Sequence, residues 1–73
     1  MSSAEEMLEE LITLSLHMIE VVYNDDLMLV DTESRGDEQE DAVLRGQAEV
    51  KARQRIANIE SIVGRRIDVT WLS

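Results

Sequence analysis

Residues 4 to 24 carry a helical pattern whose apolar side is too wide for a single neighbour, and this feature limits what the chain can become. Leu8, Leu11, Ile12, Ser15, Ile19 and Val22 fall along one stripe at helical spacing. Met7, Leu14, Met18 and Val21 widen it on one flank, and Leu16 and Tyr23 on the other. The resulting arc is ~200°, about twice the width that a helix resting on one core requires. Such a helix needs neighbours on two sides. A chain of 73 residues offers few, so the excess points to self-association or to a partner.

A chain of this length forms one small domain that buries only ~60% of its unfolded surface, so its core is marginal. It has no Cys, hence no disulfide and no thiolate–metal staple, which accords with a reducing compartment. Trp71 and Tyr23 are its only aromatic residues. With 44% apolar residues the chain should fold, and its core must be Leu, Ile, Val, Met and Ala, a composition suited to helix packing. The opening residues carry Glu5, Glu6, Glu9 and Glu10 where a secretion signal would carry positive charge, and no apolar run is long enough to span a bilayer. A soluble cytoplasmic protein is the expectation.

The net charge of -9 is unevenly spread. Residues 1 to 34 hold nine acids and no Lys or Arg, whereas residues 35 to 73 hold seven acids and all seven bases. An acidic surface repels nucleic acid and anionic membrane and attracts basic proteins. Direct nucleic-acid or membrane binding is therefore not expected.

Helix 1 should start at a capping box of Ser3 and Glu6 and run over about 4–24. Asn24-Asp25-Asp26 offers a stop, because these side chains compete for backbone hydrogen bonds. Leu27 to Val30 then resumes the apolar pattern, so that Leu27 to Thr32 reads either as a short strand or as an extension of the helix to 31. The extension, with a break or kink near Asp25, is the favoured reading. Residues 31 to 36 form the loop, with Gly36 free to take a positive φ. Helix 2 should span about 37–63, with Asp37 as N-cap and Glu40 at the third position of a second capping box. Its seam is Leu44, Ala48, Ala52, Ile56, Ile59 and Val63, and the small residues of its first half let another helix approach closely. Asp41 with Arg45, and Glu49 with Arg53, are spaced as i,i+4 ion pairs. Gly64 closes the helix. In residues 66–72, Ile67, Val69 and Trp71 alternate with Asp68 and Thr70, which suits a strand or an extended tail lying over the helical pair.

The fold expected is thus mostly α: a two-helix antiparallel hairpin, one domain over residues 1–73, with a short C-terminal strand or extended tail and a core completed by homo-oligomerisation. The oligomer interface is expected at Leu8, Leu11, Ile12, Ile19, Val22 and Trp71.

Chemistry is sparsely provided. With no Cys, one His and no Gly-flanked Ser, no nucleophile–base set can be assembled, so no catalytic residues and no enzyme are expected. His17 and Glu20 reverse the order of the Glu-x-x-His motif of helical di-metal sites, and the loop from Asp31 has Ala42 where a calcium loop needs Glu. Neither a metal nor a cofactor is expected. The three Gly are isolated and make no phosphate cradle. Arg53, Arg55, Arg65 and Arg66 could form an anion site between subunits, or they could face the acidic helix.

Glu6, Glu9, Glu10, Glu20, Asp25 and Asp26 form an acidic row that is either a solvated helix face or a partner-binding surface resembling the phosphates of nucleic acid. The functional expectation is a small acidic, non-enzymatic protein-binding regulator or inhibitor, an accessory protein of the phage or plasmid type that antagonises a basic nucleic-acid-processing partner. The alternatives are a self-assembling structural subunit and an oligomeric binder of a small anion such as a nucleotide.

Overall fold

A computed structural model describes residues 3–72. Two long helices make an antiparallel hairpin: α1 (Ser3–Ser34) and α2 (Glu38–Val63). Arg65 reaches Glu9 at one end (2.8 Å) and Arg45 reaches Asp31 at the other (3.1 Å), which shows the two helices running in opposite directions. The molecule is a rod of 52 × 17 × 16 Å. No helix among the described residues is long and apolar enough to cross a membrane.

Ser3 is already helical, so it is not the N-cap expected of it. α1 then passes through Asn24-Asp25-Asp26 without interruption and stops only at Ser34, so the expected break near Asp25 and the expected loop from residue 31 are both absent. The reason lies in packing. Ile12, Leu16, Ile19, Tyr23 and Val30 follow one line along α1 at helical spacing, and each is buried or half-buried. A strand or a kink at 24–27 would take Val30, which is 3% exposed, off that line. Burial of an apolar side chain outweighs the few tenths of a kcal/mol by which Asn and Asp disfavour a helix interior.

The turn is short. Arg35 (φ 51°) and Gly36 (φ 85°) both take left-handed backbone, and the Asp37 amide donates to the Ser34 carbonyl (2.9 Å). Asp37 caps α2 as expected: its carboxylate accepts from the amides of Gln39 (2.9 Å) and Glu40 (3.2 Å). Gly64 ends the helix at φ 74°, its amide donating to the Glu60 carbonyl (2.8 Å).

The helices meet over the small residues of α2. Ala52 is fully buried and Ala48 nearly so, and Ile56 continues the contact toward the C-terminal end. Ile19, Ala52, Ile56 and Leu72 form the centre of the core, with Leu16, Tyr23, Ile59, Ile67, Val69 and Trp71 packed around them. Residues 66–72 supply part of that core without forming a strand. The alternation of the sequence survives: Ile67, Val69 and Trp71 are half-buried, while Asp68 and Thr70 are exposed. The segment is held by the Ile67 amide donating to Glu60 Oε2 (2.7 Å) and by Trp71, whose ring centroid lies 5.7 Å from that of Tyr23.

Candidate interaction surface

The hairpin uses one line of α1 and leaves another bare. Met7, Leu11, Leu14, Met18, Val21 and Met28 are between 44% and 72% exposed. Their numbers advance in steps of four and three, with Asp25 filling the one gap. At 100° per residue this seam lies about 150° around α1 from the Ile12–Val30 line that faces α2. Leu8, Val22 and Leu29 border it, and all three are exposed. The α1 arc is therefore wide because it contains two seams, and the hairpin consumes only one.

This arrangement redistributes the residues expected at an oligomer interface. Leu8, Leu11 and Val22 are exposed and belong to or border the bare seam. Ile12 (7% exposed) and Ile19 (8%) are buried inside the hairpin, and Trp71 is half-buried against Tyr23. Met7, Leu14, Met18 and Val21 carry more of the open surface than the stripe through Ile12 and Ile19. The signal for them was available in the four–three spacing from Met7 to Met28, which marks a helix that packs along a second helix.

The acidic residues divide in a similar way. Glu6, Glu9, Glu10 and Glu20 share an arc of about 100° on α1, beside the bare seam. Of these, Glu9 is paired with Arg65, while Glu6, Glu10 and Glu20 have no cation partner among the described residues. Asp25 lies within the apolar seam itself. Asp26 is on a different side, where it lines a shallow groove with Val30, Ala48 and Lys51. The six carboxylates thus do not form one face; four of them do.

The arginines proposed for an anion site do not converge. Arg53 is bonded to Glu49 (2.8 Å), Arg65 to Glu9 and Arg66 to Asp68 (3.2 Å). Arg53 and Arg66 share a groove beneath the C-terminal segment with Glu60 and Asp68, and Arg55 is exposed elsewhere on α2. Arg45 bridges Asp41 (2.6 Å) and Asp31, and its hydrogen bond to Asp41, reinforced by that charge, raises the guanidinium above its ordinary value. His17 is exposed beside Thr13 and Glu20, next to the C-terminal segment. Among the described residues no group of three His, Asp or Glu side chains is placed to hold a metal ion.

No protein-family model, curated protein or solved structure matches the chain.

Proposed function

We propose that this protein is a small non-enzymatic regulator that acts by binding a basic protein partner, and that it does so as a homo-oligomer. The observation that carries the reading is the arc of Glu6, Glu9, Glu10 and Glu20. Four carboxylates lie along one side of α1, and three of them have no cation partner among the described residues. Carboxylates held in this way attract a basic surface and speed encounter with it. A nucleic-acid-processing protein is the natural class of target, since its working surface is built to receive closely spaced negative charge. The C-terminal segment covers only part of the same side of α1, which leaves Glu6 and Glu10 on the open length of the helix.

The test is a pull-down from the source cells with the wild-type chain and with the double variant Glu6→Lys/Glu10→Lys, each repeated with competing double-stranded DNA. Capture of a nucleic-acid-binding protein that DNA displaces and that the variant fails to retain supports the regulator. Recovery of the bait alone, or equal capture by both chains, removes it. The second reading, a self-assembling structural subunit, draws on the bare apolar seam of α1. It predicts that charge reversal leaves behaviour unchanged while substitutions in the seam abolish assembly.

A further inference from the structure

We infer that a second copy of this chain docks on the bare seam of α1, the two α1 helices running antiparallel about a two-fold axis so that the helices lie in the order α2, α1, α1 of the second copy, α2 of the second copy. This deepens the homo-oligomer part of the reading above and rests on it.

The size of the seam is the first argument. Its six apolar residues are each about half to three-quarters exposed. With Leu8, Val22 and Leu29 they present on the order of 800 Å² per copy, the area a standard stable interface takes from each partner. A monomer ordinarily leaves only a few hundred Å² in one such patch.

The spacing says what kind of surface covers it. Steps of four and three average 3.5 residues, the repeat that keeps a seam in contact with another helix along its length. Met7 to Met28 spans nearly the whole of α1, so the matching surface is a long helix. A second α1 supplies one of the same length.

The core of the single chain explains why that helix belongs to a second copy. Among the described residues no large side chain is fully buried, and Ala48 and Ala52 are two of the seven buried apolar residues. A core this thin leaves a chain of this size close to the limit of independent stability. The cover must then be present whenever the chain is folded, and only another copy meets that condition without a second gene product.

Asp25 decides the direction. A parallel, in-register pair would put Asp25 against Asp25 of the second copy in one apolar layer, two like charges with no cation near them. It would also set the glutamates of both α1 N-termini side by side. Antiparallel pairing sends the two Asp25 residues to opposite halves of the interface. The register that overlaps most of both helices places Leu11 on Met28 of the second copy, Met18 on Val21 of the second copy, and Asp25 on Leu14 of the second copy. Asp25 is then the one charged residue within the apolar layers of the pair. The uncharged flank of Leu8, Ser15, Val22 and Leu29 meets its own counterpart. Glu6 and Glu20 stay outside, while Glu10 lies at the edge of the interface on the flank it shares with His17 and Asn24.

Sedimentation equilibrium with substituted chains tests the proposal. The wild-type protein should be a dimer at tens of micromolar. Leu14→Asp should weaken the dimer at least about a hundredfold, because it sets a carboxylate against Asp25 in an apolar layer. Because spoiling the seam can also unfold a chain that needs its partner, Asp25→Asn serves as the second variant and should tighten the dimer at least about tenfold. Direction is read by disulfide trapping, which the absence of native Cys makes clean. Leu11→Cys alone should give no cross-linked dimer, whereas Leu11→Cys with Met28→Cys should. A monomeric wild type overturns both this inference and the homo-oligomer reading. A dimer indifferent to Leu14→Asp and Asp25→Asn overturns the seam but leaves that reading standing. Cross-linking by Leu11→Cys alone overturns the antiparallel arrangement.

Discussion

The indole of Trp71 lies against the ring of Tyr23, their centroids 5.7 Å apart and their planes tilted by 40°. This pair joins the last apolar residues of the chain to the middle of α1. It is also where the C-terminal segment becomes part of the core, since Leu72 beside it is buried next to Ile19 and Ile56. The tilt avoids the face-to-face stacking that aromatic quadrupoles disfavour.

Trp71→Ala should therefore lower stability by about 2 kcal/mol, less than the 3–5 kcal/mol of a fully buried Trp because Trp71 is half-exposed. Glu60→Ala, which leaves the Ile67 amide without its acceptor, should cost about 1 kcal/mol. Urea unfolding followed by circular dichroism measures both. Because Trp71 is the sole Trp, its emission in the wild-type protein should shift together with the loss of helix. An emission change well before the loss of helix would mean that the segment detaches from a hairpin that stands without it.

Two glycines, Gly64 closing α2 and Gly46 inside it, should respond with opposite sign. Gly64 holds φ 74°, a conformation that an L side chain adopts at a cost, so Gly64→Ala should destabilise by about 1 kcal/mol. Gly46 is in the helix interior, with nothing within 4 Å of where a Cβ would be. Gly46→Ala should stabilise by about 0.5–1 kcal/mol through helix propensity. Thermal unfolding of the two variants beside wild type checks the sign. A stabilised Gly64→Ala would mean that the helix end relaxes out of the left-handed conformation.

Ala52 sets the spacing of the hairpin. It has no exposed surface, and Ile19, Ile56 and Leu72 surround it. Ala52→Leu should force the helices apart and cost about 1–3 kcal/mol. The same change at exposed Ala57 should be within about 0.5 kcal/mol of neutral. Equal effects at the two positions, measured by urea unfolding, would mean that the helices do not cross at Ala52.

The five ion pairs among the described residues contribute far less than these contacts. Arg65 and Glu9, each about half exposed, join residues far apart in sequence, yet an exposed pair is worth at most about 1 kcal/mol and is weakened by salt. The pairs Asp41–Arg45 and Glu49–Arg53 occur where the i,i+4 spacing placed them, and they too orient side chains more than they stabilise the fold.

Much of the architecture is a local property of the chain. Asp37 caps α2 because a carboxylate at that position reaches the amides of Gln39 and Glu40, and Gly36 and Gly64 stand where the backbone turns left-handed. Two helices, their turn and the inward alternation of Ile67, Val69 and Trp71 follow from such short-range rules. Which line of α1 faces inward does not. The sequence places apolar residues around more than half of the helix, and periodicity about one axis cannot choose among adjacent lines. That choice is made by α2, whose Ala48 and Ala52 admit the larger side chains of α1 along one line and so bury Ile12, Ile19 and Val30 while leaving Leu11, Leu14 and Met18 outside. The same packing carries α1 through Asn24-Asp25-Asp26, because helix-stopping tendencies of single residues are small beside the burial of Val30. The grouping of carboxylates was decided in this way too: once the inward line is set, Glu6, Glu9, Glu10 and Glu20 share a side and Asp25 and Asp26 do not.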